Sequence, residues 1–336
     1  MGYRIGSFNM RNLGLAAMGN NNERDLKKIA EIIRKEKFDV VALQEVLSEG
    51  KAFTSPDFAK KSILMELGPD WDFQWADTES KIDSRREGYA FLWNKRRLRL
   101  ATTELEDHTF RTFYPQICRI NKEEMSRRPY YARFTPQGTL GGTYFEIRLI
   151  CVHTYYGKDT AEDREIRQHE LDVLMKDIYP QIADRVYKGN MPHYTILLGD
   201  YNVELRREWK DEFRKKQNAE LRLQGKTAQP KPAFLIADED DIVESTAWGN
   251  RRIKTVQDQL TTLKAQYDGD MGKADFEGRG YSHDYDHFSY EESQFEGVSM
   301  KVKRIDAVRK YCDDDFEKYL KTVSDHIPIM MEIELR

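Results

Sequence analysis

The sequence of 336 residues predicts an α/β fold that is rich in strands. Short apolar runs that end abruptly at polar residues, such as the run before Gln44 and Glu45, are typical of strands covered on both faces. Amphipathic helices stand between them, and one opens at Thr160 with a capping-box pattern that closes at Asp163. Hydrophobic residues make up 39% of the chain, which is enough material for a large core.

The predicted elements follow one another without repeats. Strands are expected at Arg4–Asn9, Phe38–Leu43, Tyr89–Trp93, Leu98–Thr103, Tyr130–Phe134, Tyr144–Val152 and Tyr194–Leu198. A helix is expected over Glu23–Glu36, after cap-competent asparagines. The helix that follows Thr160 places Leu171, Leu174 and Ile178 on one face.

The pattern predicts a single domain over residues 1–336 with insertions at 206–232 and 255–280. The first insertion is dense in charge, and glycines and carboxylates interrupt any period in the second. We expect a solvated helix in the first and a surface loop in the second.

Charge and cysteine content constrain the class of protein. The formal net charge of -4 and a pI near 6.1 give no overall attraction to phosphate backbones, so a grip on nucleic acid has to come from local basic patches. Cys118, Cys151 and Cys312 are few and odd in number, which favours buried thiols in a reducing compartment. We expect no membrane span and no secretory leader, so the compartment is unknown with the cytoplasm favoured.

Polar residues at the ends of apolar strands concentrate the chemistry, because burying them without partners is costly and a site would explain them. These places are Ser7–Arg11, Leu43–Val46, Val152–Thr154, Leu198–Asn202 and Ser324–Pro328. Together they supply oxygen ligands for Mg²⁺, donors for phosphate and groups for proton transfer. Phosphoryl transfer requires that mixture.

These motifs resemble the endonuclease/exonuclease/phosphatase superfamily, and most of all deoxyribonuclease I. The residues around the motifs also resemble the family's sequences. These segments are FNMRNLG at Phe8, ALQEV at Ala42, SRRP at Ser126, LLGDYN at Leu197, YD at Tyr285 and SDHIP at Ser324. The resemblance implies a four-layer α-β-β-α sandwich of two packed mixed sheets, with the site where the motif-bearing strand ends meet. It also implies a metal-dependent phosphoesterase.

The resemblance assigns metal binding to Glu45, with Asn9 beside it and Asp325 as a further metal or water ligand. Mg²⁺ is the expected ion, with Mn²⁺ or Ca²⁺ as alternatives. Asp200 matches the residue that deprotonates the attacking water. Asn202 is two residues further on and is expected to share its strand face, so that its amide can stabilise the phosphate without adding charge.

Two histidines match the pair that binds the phosphate or protonates the leaving oxygen. His326 is expected to pair with Asp286 and His153 with Glu87, and both pairings should raise the histidine pKa values. Arg127 resembles an arginine that contacts phosphate, although Arg128 competes for that match. His283 and His287 are expected to be surface histidines.

The substrate contacts depart from those of deoxyribonuclease I. Arg11 matches an arginine that contacts the DNA groove. Arg85 and Leu47 stand where the family enzyme has a groove-binding tyrosine and arginine, and Arg85 with Arg86 could contact the groove or phosphates instead.

The sequence therefore favours a Mg²⁺-dependent phosphodiesterase that acts on nucleic acid, with DNA favoured and an endonuclease as the leading form. A phosphomonoesterase of inositol lipids or other small phosphates is the alternative, since this superfamily uses one site for both kinds of ester. A catalytically inactive binding relative is a third reading, which the complete constellation of polar residues disfavours. No protein partner is inferred.

Overall fold

The computed structural model describes residues 2–14, 24–47, 51–54, 62–80, 87–121, 124–138, 145–158, 160–187, 191–204, 243–245, 249–251, 253–256, 259–263 and 280–334. Its strands are β1 (Gly2–Leu13), β2 (Val40–Val46), β3 (Trp71–Asp77), β4 (Gly88–Asn94), β5 (Leu98–Leu100), β6 (Thr102–Glu104), β7 (Phe110–Thr112), β8 (Gln116–Ile117), β9 (Tyr130–Pro136), β10 (Glu146–His153), β11 (His193–Asp200), β12 (Val243–Ser245), β13 (Gly249–Arg251), β14 (Ile253–Val256), β15 (Asp286–Glu291), β16 (Ser299–Arg304) and β17 (Ile329–Glu334). Its helices are α1 (Leu26–Lys35), α2 (Lys51–Thr54), α3 (Ile63–Leu67), α4 (Ala161–Val173), α5 (Tyr179–Ala183), α6 (Ala307–Cys312) and α7 (Phe316–Thr322). A π-helical turn, Leu174–Ile178, joins α4 to α5, and a 3₁₀ turn spans Glu292–Phe295.

Two mixed sheets form the centre of the fold. The first has the strand order β16-β17-β1-β2-β4-β3, and the second has the order β14-β15-β11-β10-β9-β5, with β8 pairing to β9. Each sheet contains a parallel pair, β1 with β2 and β10 with β11, and the other pairings in both sheets are antiparallel. Because parallel strands end at the same edge, each pair presents two motif-bearing strand ends side by side.

The core has three parts, one at each interface between layers. Residues such as Ile5, Phe91 and Leu149 fill the space between the two sheets. Helices α1, α3, α6 and α7 pack on the outer face of the first sheet, and α4 and α5 pack on the outer face of the second. The predicted four-layer α-β-β-α sandwich is confirmed.

The predicted strands exist, but several boundaries differ. The expected strand Leu98–Thr103 is two strands that meet at Ala101. The Ala101 N–H still donates to Arg133 O on β9 at 2.9 Å, but its carbonyl accepts from Phe113 N, just after β7, at 2.8 Å. Strand β6 then pairs with β7 in a separate hairpin. The first helix begins at Leu26 and is capped by Asp25, whose side chain accepts from Lys28 N, so the asparagines are not the cap.

The interpretation of the second insertion as a surface loop is wrong for its described part. Strand β14 includes Thr255 and pairs with β15, while Leu260 and Leu263 are buried. Thr262 forms a β-bridge with His326, so this segment supports the histidine loop. The insertion at 206–232 and Arg85 lie outside the described residues.

The three cysteines are buried and free, as expected from their number. His287 is also fully buried, which contradicts the prediction of a surface position. Its Nε2 lies 2.9 Å from Val203 O, and this bond satisfies the imidazole inside the fold. Among the described residues, no helix combines the length and apolar character needed to cross a bilayer.

Candidate active site

The strand ends of the two parallel pairs meet at one edge of the sandwich. In the second sheet, the register places Asp200 between His153 on β10 and Asp286 on β15. In the first sheet, Asn9 on β1 lies opposite Gln44 on β2, immediately before Glu45. Residues that are distant in the sequence therefore face one another across the gap between the sheets.

The backbone at this edge adopts conformations that ordinary strands avoid. Arg11, Asn12, Glu45 and Asn202 all have positive φ angles, of 45°, 55°, 54° and 51°. Both β1 and β2 change register there, which is the behaviour of a bulge that redirects side chains. Such conformations cost about 1–3 kcal/mol each and cluster at functional sites.

Gly199 precedes Asp200 with a φ of 146°, and a Cβ at that position would lie 2.0 Å from Val152 O. Only glycine lets β11 approach β10 so closely. The close approach brings Asp200 alongside His153.

Asp200 lies at the centre of the site and is 1% exposed. Its Oδ2 accepts from Asn9 Nδ2 at 3.0 Å. The Nε2 atoms of His326 and His153 lie 3.6 Å and 3.8 Å from the same oxygen. One carboxylate oxygen thus faces two imidazoles and an amide donor.

The side chain of Asn9 joins the two sheets. Its Nδ2 also donates to Glu45 Oε1 at 2.9 Å, while its Oδ1 accepts from Arg11 N at 2.9 Å. Asn9 therefore holds Glu45 and Asp200 a fixed distance apart. In this arrangement its amide oxygen is bound to the backbone.

Glu45 has the chemistry of a ligand for a hard cation. Its Oε2 accepts from Asn12 N at 3.1 Å, and His153 Nε2 lies 3.9 Å from Oε1. Burial raises the pKa of Glu45, against the opposing effect of His153, so the carboxylate has too little positive charge near it. A divalent cation would supply that charge.

Within the described ranges, no group of three or more His, Cys, Asp or Glu side chains has the arrangement of a metal site. Mg²⁺ takes one or two protein carboxylates and completes its shell with water and substrate oxygens, and Glu45 supplies such a carboxylate. The donor set at Glu45 therefore fits that ion.

Asp325 lies at the rim rather than at the centre. Its Oδ2 is 3.3 Å from Arg11 Nε, and both side chains are 36% exposed. Arg11 also donates to Leu320 O at 2.6 Å. The structure thus pairs the proposed groove-contacting arginine with the proposed outer ligand.

His326 is held by Asp286, as the sequence predicts. Its Nδ1 lies 2.7 Å from Asp286 Oδ2. Burial opposes a charge on the imidazole, but Asp286 and Asp200 outweigh burial and raise the pKa of His326 well above its usual value. The ring is therefore an imidazolium whose Nε2 points at Asp200.

His153 has the corresponding pairing with Glu87. Its Nδ1 lies 2.6 Å from Glu87 Oε1, and its backbone N–H donates to Tyr89 Oη at 2.9 Å. Burial and Arg127 oppose the charge on His153, and Glu87 and Asp200 raise its pKa above the usual value. The expected carboxylate partner is present in both pairs.

The structure separates Arg127 from Arg128. Arg127 is 8% exposed, and its Nε and Nη1 donate to Glu87 Oε2 at 2.8 Å and to Thr154 O at 3.2 Å. Arg128 forms its ion pair with Glu79. Arg127 is thus the arginine that lies at the site.

The side chain of Asn202 reaches the site by a different route from the one the sequence suggested. Strand β11 ends at Asp200, so an alternation of faces does not extend to Asn202. Instead, Asn202 N donates to Asp200 Oδ1 at 2.9 Å, and its Nδ2 donates to Thr154 O at 2.9 Å. A side-chain turn places it beside Asp200.

Helix α4 contributes two buried charges that the sequence did not reveal. Glu170 accepts from Ser126 N at 2.6 Å and from Tyr155 N at 2.7 Å. Arg167 donates to Asn202 O at 3.1 Å. These bonds anchor the loops that carry Arg127, His153 and Asn202. The polar residues interrupting the apolar face of this helix were the available signal.

Arg24, just before helix α1, is a third buried charged residue that the sequence did not assign to the site, and it is 7% exposed. Its Nη2 donates to Arg11 O at 2.7 Å and so fixes the left-handed turn after Asn9. Burial and the Arg11 cation lower the pKa of Arg24 to about 10.

This fold and site define a class of hydrolases that act on phosphate esters. The sequence model of the Endonuclease/Exonuclease/phosphatase family matches residues 6–290. The chain belongs to this family, whose members are phosphoesterases that use divalent metal ions.

Solved structures share the fold at low identity. TDP2 from C. elegans has a TM-score of 0.54 and 14% identity, and the match covers 99% of this chain and 75% of that one. A family member from Bacteroides vulgatus has a TM-score of 0.51, 14% identity and full coverage of both chains, at 100% each. D. rerio TDP2 complexed with a single-strand DNA product has a TM-score of 0.51 and 14% identity, and the match covers 99% of each chain. No curated protein sequence matches the chain.

Proposed function

We propose that this chain is a Mg²⁺-dependent phosphodiesterase that cleaves nucleic acid, with DNA as the favoured substrate and endonucleolytic cleavage as the favoured mode. The observation that carries the proposal is the convergence of two imidazole Nε2 atoms on Asp200 Oδ2, next to Glu45. A carboxylate base and two flanking cations suit attack by water on a phosphate that both cations can contact.

In this mechanism Asp200 takes a proton from the attacking water as the new P–O bond forms. His326, oriented by Asp286, gives its Nε2 proton to the leaving oxygen as the second P–O bond breaks. His153 places its charge against the phosphate. When Mg²⁺ is bound at Glu45, it supplies a Lewis acid that stabilises the growing negative charge on phosphate.

The remaining predicted residues position or neutralise the substrate. Asn9 holds Glu45 apart from Asp200. One N–H of the Asn202 side-chain amide binds Thr154 O, and the other can donate to a phosphate oxygen. Arg11 and Arg127 add positive charge, with Asp325 as an outer ligand for metal or water. Arg85 stays a predicted contact for the substrate.

D. rerio TDP2, which shares the fold, was solved with a single-strand DNA product. That complex supports DNA as a substrate class to test first. The phosphomonoesterase alternative is decided by assay, because both kinds of ester present non-bridging phosphate oxygens and a leaving oxygen to this site.

A panel of plasmid, single-stranded DNA, RNA and phosphomonoesters tests the proposal with and without Mg²⁺. We expect Mg²⁺-dependent cleavage of nucleic acid and a loss of at least about 10³-fold in Glu45→Ala. The same variant should lose Mg²⁺ binding in titration calorimetry, because its carboxylate is the ligand.

Glu36→Ala is the matched control. Glu36 is also largely buried, but it bonds to Lys310 and Tyr311 on helix α6 and not to a residue of the site. This variant should melt at a lower temperature and keep its Mg²⁺ affinity. Turnover confined to phosphomonoesters, or metal-independent activity of Glu45→Ala, would reject the proposed function.

A further inference from the structure

A cluster of aromatic rings borders the active site, and the catalytic mechanism does not use it. Tyr285 stacks on His283 with centroids 4.6 Å apart and planes at 3°. Tyr156 meets Tyr285 edge-on, with centroids 6.2 Å apart. We call these three residues the aromatic platform.

The platform is joined to the catalytic residues through the backbone. Tyr285 immediately precedes Asp286, and its carbonyl accepts from Tyr201 N at 2.8 Å, next to Asp200. Tyr156 lies on the loop that follows His153 at the end of β10. A group on the platform would therefore adjoin a phosphate bound at Asp200.

The rings are partly exposed, although most aromatic side chains among the described residues are buried. Tyr156 is 44% exposed, and the His283 side chain is 40% exposed. Burial, Tyr156 and Glu204 raise the pKa of Tyr285, and Asp200 contributes to the same effect. The phenol is therefore neutral, and it is close enough to Asp200 to sense its charge.

The charges around the platform disfavour a second phosphate. Glu204 pairs with His283 Nδ1 and places a carboxylate beside the rings. The neighbouring cation, Arg167, lies beneath Tyr156 with its guanidinium carbon 5.7 Å from the ring centroid. It is 3% exposed, so it cannot offer an open face to an anion. A flat, uncharged group suits this surface better.

We propose that Tyr156, Tyr285 and His283 form a stacking subsite for the nucleobase adjoining the scissile phosphate. This inference rests on the proposed phosphodiesterase function and adds the class of group that the enzyme recognises. Stacking on aromatic faces tolerates every base, so the subsite would favour nucleotides over sugar phosphates without selecting a sequence. It requires an unstacked base, which favours single strands and frayed ends.

Dithymidine monophosphate tests the subsite, because its single phosphodiester fixes the bond that is cut. Two analogues each replace one thymine by hydrogen. The wild-type enzyme should lose about tenfold in kcat/KM, through KM, on one of the two analogues. Tyr156→Ala should remove that difference, whereas Tyr156→Phe should retain it.

Phe110→Ala is the control, since Phe110 is 69% exposed on the separate hairpin and should leave the preference for bases unaltered. Equal KM for all three substrates, or a preference that survives Tyr156→Ala, would overturn the subsite while the phosphodiesterase function stands. Cleavage of phosphomonoesters without any cleavage of dithymidine monophosphate would reject both proposals.

Discussion

The two histidine–carboxylate pairs that flank Asp200 look alike but differ in their electrostatic surroundings. His326 faces Asp286 and Asp200, which raise its pKa well above the usual value. His153 faces Glu87 and Asp200, which raise its pKa above the usual value. Arg127 also binds Glu87, and its charge partly offsets this rise. A salt bridge of 2.8 Å joins Arg127 to Glu87.

This difference indicates that the two imidazole rings have different roles in catalysis. A third charge on the carboxylate weakens its hold on the imidazole proton, so His153 should titrate closer to neutrality than His326. His326 is then the more persistent cation.

Replacing Asp200 should have the largest effect, because it removes the group that both rings share. Asp200→Asn preserves the shape of the side chain but cannot accept the proton of water, and we expect kcat to fall by about 10⁴-fold. Steady-state kinetics on the preferred substrate measure this. Asp39→Asn, in which a buried aspartate bonds to Arg4 and Arg97, should lower the melting temperature and leave kcat close to wild type. A similar kcat loss in both variants would contradict the assignment.

His326→Ala should cost about 10²–10⁴-fold in kcat, since general acid catalysis contributes on that scale. Its raised pKa means that activity declines as pH rises through the folded value. Asp286→Asn removes the main negative charge that raises the pKa of His326, so this decline should move to lower pH. The pH profile of kcat measures both effects, and a folded His326→Ala enzyme with full kcat would eliminate the role.

The same pair also makes stability depend on pH. Because the folded pKa of His326 is above the unfolded value of about 6.5, its contribution to stability is complete below that pH. The contribution is lost as pH rises through the folded pKa. Melting temperatures of wild type and Asp286→Asn across this range should converge at high pH.

Arg127→Met should reduce the difference between the two pairs, because it leaves Glu87 to act on His153 alone. We expect the pKa of His153 to rise, and KM to increase about 10- to 100-fold if Arg127 donates a charged hydrogen bond to phosphate. An NMR titration of the imidazole follows the first change. Arg128→Met is the control, because Arg128 pairs with Glu79 and should leave the pKa of His153 where it is.

Glu170→Gln should have the smallest effect on chemistry. Ser126 N and Tyr155 N donate to different oxygens of Glu170, and glutamine replaces one of those oxygens by an NH₂ group. One of the two bonds is therefore lost, and we expect a loss of about 1–3 kcal/mol in unfolding free energy. The loss in kcat/KM should stay below about tenfold, since the residue acts through the loops it holds. Denaturant unfolding measures the first effect. The exposed Glu165→Gln on the same helix should change neither quantity.

The sequence by itself determined where most of the strands lie along the chain, and it determined most of the candidate catalytic groups. Apolar runs that close on polar residues are local signals, and they placed Asn9, Glu45, His153, Asp200 and His326 at strand ends. The resemblance to a family then supplied the four-layer fold and the histidine–carboxylate pairings.

Tertiary structure decided what depends on contacts between distant segments. Neighbouring arginines are equivalent in a sequence, and only the position of Glu87 distinguishes Arg127 from Arg128. Glu170 and Arg24 read as ordinary charged helix residues, because the backbone groups they bind belong to other loops. Polarity predicts a surface position for His287 and for residues 259–263, but a carbonyl or a β-bridge satisfies polar groups there inside the fold.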